Sequence, residues 1–380
     1  MSERIRLIND YESGDFGISE LAQEYQVSRK TVYKWLERFE EEGWKGLQDH
    51  SKAPEHHPNA VPEQIERAIL ELKARKPLWG APKLRAKLLE KKENCPAEST
   101  VSEILRRHGL SHRAKRHRRA TPSQQPLSHC QQCNQVWCAD FKGWFRTRNG
   151  EKCTPLTISD GHSRYLLCCQ SVEKTVEELT VKPLFIKTFR EYGMPEAMRT
   201  DNGAPFASTG LAGLSTLSVW WVRLGIKLER IEPGCPQQNG RHERMHRTLK
   251  EATAKPPCAD LRAQQRAFDQ FRQEYNNERP HEALDQRPPA NLYSLSPRAY
   301  PERLPEPLGY PDDWQKRVVR KGGQIKWKGR DVSLGAALWG QEVGLKPVAE
   351  GLWTVYFETL ELGTFNEQLG RVERPEVLKV

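Results

Sequence analysis

No apolar run in this 380-residue chain approaches the roughly 18 residues that a bilayer span requires. A mean hydropathy of −0.78 points the same way, and a membrane-spanning protein is excluded. The first residues, MSERIRLINDYESG, lack a continuous apolar stretch, so no signal peptide is readable and a cytoplasmic location is expected. Cysteine follows no pattern: nine residues, an odd count without regular spacing, give no disulfide framework, and a reducing compartment would keep them as thiols. Acid is outnumbered, 50 Asp and Glu against 60 Lys and Arg. The resulting charge of +10 favours a polyanionic partner, nucleic acid first. At about one domain per 150 residues, the length implies two or three domains.

Ile18, Leu21, Ala22 and Tyr25 share one stripe of a short helix, and Val32, Trp35, Leu36 and Phe39 repeat that spacing. Gln26, Val27 and Ser28 leave room only for a tight corner, with Ser28 as N-cap of the second helix. Residues 1–50 are therefore expected to form a helix-turn-helix domain. Its second helix would offer Arg29, Lys30, Thr31, Tyr33 and Lys34 to a major groove, ahead of the acidic Glu37, Glu40, Glu41 and Glu42. A polar linker leads to a second helical, helix-turn-helix-like domain at 60–112. Its stripes are Ile65, Ile69 and Leu72, then Leu84 and Leu88, then Val101, Ile104 and Leu105, and Thr100 with Glu103 reads as a capping box. Seven Lys or Arg and no acid between Arg106 and Arg119 mark residues 113–131 as a basic linker that follows phosphates. His129, Cys130, Cys133 and Cys138 invite zinc, but no second closely spaced pair completes a compact module, and zinc is not expected.

In the central region the run QVWCADFKGWF reads as a buried strand with Asp140 in its interior, where an unpaired carboxylate would cost several kcal/mol. TPLTISDGHSRYLLCCQS is a hairpin with Asp160 and Gly161 at its turn. A helix follows with Phe185, Phe189 and Tyr192 on one face and Pro183 tolerable only in its first turn. The strand EAMRT ends at Asp201, beside the turn residues Asn202 and Gly203, where an open sheet presents its chemistry. LAGLSTLSVWWVRLG reads as a helix and IKLERIEP as a strand. PGCPQQNGRHERMHRTLKEA becomes a helix with an apolar stripe of Met245, Leu249 and Ala252 and a polar one of Glu243, His246, Arg247 and Lys250. Asp140, Asp201 and Glu243 lie 61 and 42 residues apart and could meet only through the fold. Two hard cations with carboxylate ligands suit phosphodiester chemistry, yet spacing alone favours reading these three as ordinary acids.

WCADFKG, RTDNGAPFAS, PQQNGRHERMHRTLK and YNNERPHEAL, in this order, resemble the catalytic core of bacterial insertion-sequence transposases of the DDE class, relatives of retroviral integrases. The resemblance implies a ribonuclease-H-like α/β core over 132–292. It also implies catalytic and metal-ligand roles for Asp140, Asp201 and Glu243, holding two Mg²⁺ or Mn²⁺ ions. The interval from Asp201 to Glu243 is longer than is usual in that family, and STGLAGLSTLSVWW carries the extra residues. Glu232 and Glu229 are weak rivals to Glu243. Around the acids, Asn202, Gln238, Asn239 and Arg241 are expected to position DNA, and His246 and Lys250 to contact a phosphate. The local alternatives are a turn former for Asn202, a helix cap for Asn239 and a surface histidine for His246.

Past a proline-rich linker, KRVVRKGGQIKWKGRDVSL, LWTVYF and ELGTF predict short strands, read as a small SH3-like β-barrel at 312–368 with a basic face of Arg317, Arg320, Lys321, Lys326, Lys328 and Arg330. The expected fold class is thus multidomain α+β: helix-turn-helix modules, a ribonuclease-H-like core and a C-terminal β-barrel. The expected function is a metal-dependent DNA transposase that binds double-stranded DNA at element ends and target. It would act as a homo-oligomer assembled on DNA in a bacterial, nucleoid-associated setting, with DNA integration and recombination as its output. The alternative is a catalytically silent DNA-binding regulator derived from one.

Overall fold

The computed structural model describes residues 2–49, 60–90, 94–111, 130–172, 178–232, 238 and 240–373. The chain divides into two compact units, residues 1–62 and 63–380.

In the first unit, α1 (Ser2–Glu12), α2 (Ile18–Glu24) and α3 (Arg29–Glu42) bury Leu7, Ile8, Leu21, Val32, Trp35 and Leu36, closed by Leu47 from a 3₁₀ turn. Ser28 caps α3 as its sequence position suggests, accepting from the Thr31 amide at 3.1 Å. The sequence reading assigns no helix ahead of Ile18. Helix α1 forms because Leu7 and Ile8 complete the core left open by two short helices, and the Arg4 guanidinium covers Trp35 at 4.0 Å.

The second unit begins with α4 (Glu63–Arg75), α5 (Ala81–Glu90) and α6 (Glu98–Arg107), whose buried residues include Ile69, Leu72, Leu84, Leu88, Val101, Ile104 and Leu105. Helix α6 starts two residues before Thr100, with Ala97 at the N-cap position and no side-chain cap, so the expected capping box does not form.

The central sheet contains β1 (Val136–Phe141), β2 (Phe145–Arg146), β3 (Lys152–Asp160) and β4 (Leu166–Val172), then β5 (Ala197–Thr200) and β6 (Lys227–Arg230). Strand β3 pairs antiparallel with β1 and β4, while β5 runs parallel to both β1 and β6. Helix α7 (Glu178–Tyr192) and helix α8 (Thr216–Arg223) cover one face, with Phe185, Phe189, Trp220 and Trp221 packed on Trp137, Leu156 and Ile158. Helices α9 (Gly240–Thr253) and α10 (Leu261–Asn277) cover the other through Met245, Leu249, Phe268, Phe271 and Tyr275 against Cys153, Leu166 and Cys169. This explains why β3 is buried on both faces. Pro183 lies inside α7 rather than in its first turn; residue 179, which would have accepted its missing N–H, is highly exposed. The stretch expected as one helix splits into a 3₁₀ turn at Leu211–Gly213 and α8, because Ser215 caps α8 by accepting from the Ser218 amide at 3.2 Å.

The C-terminal region is not a closed barrel. Strands β7 (Gln315–Val318), β8 (Gln324–Trp327), β9 (Arg330–Ser333), β10 (Glu342–Ala349), β11 (Leu352–Phe357), β12 (Leu360–Asn366) and β13 (Arg371–Glu373) form two open sheets. One is a five-stranded antiparallel sheet ordered β13-β12-β11-β10-β7, the other the β8–β9 hairpin. They share one core of Ile325, Trp327, Val332, Val343, Leu345, Val355, Phe357 and Phe365 without a hydrogen-bonded seam. The break is at Gly323 (φ +74°), whose carbonyl accepts from the Leu334 and Gly335 amides at 2.8 and 2.9 Å and turns the chain away from β7.

Candidate active site

Strands β1 and β5 pair in parallel as Val136 with Ala197, Trp137 with Met198 and Cys138 with Arg199, an offset of 61 residues. The same register carried two residues further sets Asp201 level with Asp140. Asp140 is largely buried, and its carboxyl is pushed up to about 7, first by burial and next by the negative charge of Asp201, with Glu243 adding a smaller push. Lys142 and the Phe141 amide pull the other way. Asp201 lies at the exit of β5, where its Oδ1 accepts from the Gly203 amide at 3.1 Å.

Glu243 is exposed in the first turn of α9 and is held there by two histidines. His242 and His246 are 2% and 3% exposed, on the face of α9 that meets the sheet. The Nε2 atoms of His242 and His246 lie 2.7 and 2.6 Å from the Thr157 hydroxyl, which also donates to the Asp140 carbonyl at 3.1 Å. Thr157 stands opposite Asp140 in the β1–β3 ladder. A hydroxyl carries one proton and a carbonyl can only accept, so with all three bonds formed both imidazoles present Nε2–H to Thr157. Ser159 then donates to His242 Nδ1 at 2.9 Å. His246 Nδ1 is left with a lone pair facing Asp140 Oδ2 at 3.7 Å. Burial lowers His242 to about 3 and His246 to about 2, so both rings are neutral near pH 7 and the contact with Asp140 is no ion pair. Two acceptors face each other there, an arrangement that a cation or a shared proton stabilises.

His242 is what sequence reasoning missed, and His246 takes a different role from the one expected. His246 was expected to reach a phosphate, but it turns inward with its Nε2 occupied, and the buried stripe of α9 is His242, Met245, His246, Leu249 and Thr253, with Ala252 outside. The i, i+4 spacing of His242 and His246 beside Met245 and Leu249 was the available signal.

The other expected site residues fall as follows. Arg241, Arg244, Arg247 and Lys250 are exposed around Glu243, and Arg241 also donates to the Gly161 carbonyl at 2.9 Å. Asn202 is exposed and ties β5 to β6 by donating to the Ile231 carbonyl at 2.7 Å. Gln238 accepts from the Glu232 amide at 2.7 Å, while Asn239 lies outside the described residues. Glu229, a rival acid, is buried and bound by Arg199 of the neighbouring strand at 2.8 Å. On α3, Arg29, Lys30, Tyr33 and Lys34 are exposed, and Thr31 is half-buried against Ser28. Of the cysteines weighed for zinc, Cys138 is buried in β1, Cys130 and Cys133 are half-buried, and His129 lies outside the described residues.

One carboxylate and two imidazoles could hold a divalent cation, a donor set that does not by itself select a hard ion. Asp140 is a half-buried carboxyl raised first by burial and then by Asp201 and Glu243, and the ligand atoms of Asp140, His242 and His246 all lie within 4.8 Å of one another. His242 would have to release Thr157 or Ser159 to serve as a ligand.

Comparison with known proteins finds four matching domain families: a helix-turn-helix domain at residues 3–55, a homeodomain-like domain at 31–105, an integrase core domain at 224–289 and the C-terminal domain of IS481 family transposases at 315–368. An uncharacterized protein of insertion element IS407 from Burkholderia multivorans is 27% identical over 245 residues, 64% of this chain and 84% of the relative. One of insertion element IS476 from Xanthomonas euvesicatoria is 28% identical over 160 residues, 42% of this chain and 44% of the relative. The structure of a simian T-cell lymphotropic virus intasome matches with a TM-score of 0.38 at 17% identity, covering 77% of this chain and 97% of that one. The chain thus carries helix-turn-helix and integrase-core segments and resembles the proteins of bacterial insertion elements. Among the described residues no helix is long and apolar enough to cross a membrane.

Proposed function

We propose that this chain is a DDE-class transposase that binds the ends of its own insertion element, cleaves there and joins the ends to target DNA. The observation that carries this reading is the charge of Asp201 and, less strongly, of Glu243 acting on Asp140, in keeping with a β1–β5 register that, continued two residues past its last pair, would set Asp201 level with Asp140. Asp140, Asp201 and Glu243 would hold two Mg²⁺ or Mn²⁺ ions. When bound, such a pair supplies Lewis-acid activation of the attacking oxygen and stabilisation of the leaving oxygen.

The chain's own part is positioning. Thr157, His242 and His246 fix α9 against the sheet, which supports Glu243 acting with the two aspartates, since its charge reaches Asp140. Arg241, Arg244, Arg247 and Lys250 give that side of α9 a positive rim for the DNA backbone, with Asn202, Gln238 and Asn239 nearby in sequence to orient strands. Residues 1–50 and 60–112 act as end-reading domains, with Arg29, Lys30, Thr31, Tyr33 and Lys34 at the groove. Residues 113–131, nearly all of them outside the described residues, would serve as the basic linker, 132–292 as the catalytic core and 312–368 as a further DNA-contacting domain. Two ends must be joined, so the active form is a homo-oligomer assembled on double-stranded DNA, at the nucleoid in the bacterial cytoplasm.

A silent DNA-binding regulator would share the helical domains, but the presence of all three acids in the sequence speaks against it. The test is a strand-transfer assay with Mg²⁺ or Mn²⁺ and labelled duplexes made from the DNA flanking the gene. Metal-dependent joined products should appear with the native chain and vanish in Asp201→Asn, whose end binding stays nearly intact. Cut but unjoined products would indicate a nuclease, and specific binding without either product a regulator.

A further inference from the structure

Trp144 is the most exposed aromatic side chain among the described residues, at 61%. It lies in the short loop between β1, which carries Asp140, and β2. The Arg146 guanidinium and the Lys152 ammonium stand 5.9 and 5.5 Å from its ring centre, near the outer limit of cation–π contact, so the indole is flanked rather than covered. Phe145 beside it packs inward, which fixes the loop, and Lys142 between Asp140 and Trp144 sends its positive charge onto both Asp140 and His246. Along β3, Asp140 stands opposite Thr157 and Phe145 opposite Cys153. Four residues of strand separate them, on the order of 14 Å, or about four stacked base steps.

An exposed indole with a cation on either side offers a face on which a base can stack and charges suited to the phosphates beside that base. We propose that Trp144 is a stacking platform for an unpaired nucleobase of a DNA end, with Arg146 and Lys152 holding the flanking phosphates. A paired base inside a duplex has no free face to offer, so the platform selects frayed or opened ends within a few nucleotides of Asp140. This inference rests on the proposed transposase reading and adds to it the form in which the DNA strand meets the site.

The experiment uses the full chain and two duplexes of one sequence. One is fully paired; the other has its last three pairs mismatched and carries 2-aminopurine in that segment. The native chain should bind the frayed duplex more tightly and quench its fluorescence. Trp144→Ala should weaken binding to the frayed duplex roughly 5- to 150-fold and abolish the quench, leaving the fully paired duplex and the melting temperature unchanged, and Trp144→Phe should restore most of the difference. Equal losses on both duplexes, or a quench that survives in Trp144→Ala, would overturn the platform. If the native chain prefers and quenches the frayed end but never joins DNA, the platform stands and the transposase reading falls. If it binds neither duplex, both fall.

Discussion

His281 shows how a single buried side chain writes pH dependence into this fold. It is 8% exposed, packs edge-on against Tyr275 at 4.7 Å between ring centres, and is lowered to about 3 by burial, with the charges of Lys83, Arg279 and Arg164 adding to the effect. The unfolded chain, with a histidine near 6.5, binds the proton more readily. Stability from the neutral ring is therefore complete above about pH 6.5 and is lost as pH falls toward 3. At pH 5 the loss is roughly 2 kcal/mol. Urea unfolding at pH 7.5 and pH 5 should show a smaller drop for His281→Asn than for the native chain by about that amount. Equal drops would show that the ring is not held neutral. At this scale the sequence was partly legible. Asp140 stood out as a charge inside an apolar strand and Asp201 as an acid at a strand exit. His242 was hidden and His246 was assigned to the outer, phosphate-facing side because a histidine counts as polar in a periodicity reading, and Glu229 could be set aside only once Arg199 was known to lie beside it on the next strand.

Individual elements were legible where their apolar spacing was regular, as in α3, α4 and β3, and illegible where tertiary packing overrode a local signal. Helix α1 has few apolar residues among its charges, and α7 keeps Pro183 in its interior because Phe185 and Phe189 are buried on the sheet. Strand β10 was not foreseen, since Gly344 and Pro347 argue against a strand. Gly344 is there for space: a Cβ at this position would sit 2.4 Å from the Tyr310 ring. Tyr310 in turn accepts from the Glu358 amide at 3.0 Å and stacks on Trp314 at 5.8 Å. Gly344→Ala should cost about 1–3 kcal/mol through overpacking, read as a lower melting temperature followed by tryptophan fluorescence. An unchanged transition would mean that Tyr310 can swing away freely.

Within residues 63–380, the parts are joined by contacts that no local pattern announces. Lys76 bridges Glu274 and Glu278 at 3.1 and 2.8 Å, and Lys83 donates to the Pro280 carbonyl, seating the second helical group on the end of α10. At the other end, Ala212, Leu214 and Val219, from the long interval between Asp201 and Glu243, belong to the same apolar cluster as β10, β11 and β12. Arg223 of α8 pairs with Glu358 at 3.1 Å, both well buried. Arg223→Ala removes this pair together with the Arg223 bonds to the Gln341 side chain and the Pro305 carbonyl, and should cost about 1–3 kcal/mol at this seam. Limited proteolysis should then cut the proline-rich segment before β7 faster than in the native chain, and an unchanged digestion pattern would show that the apolar contacts alone hold the sheet.

That shared cluster also bears on recombination between related chains. A C-terminal segment exchanged at the proline-rich linker would arrive without residues 211–222 and meet a foreign surface, so a working chimaera has to inherit two stretches of sequence together, one of them lying between two of the three acids.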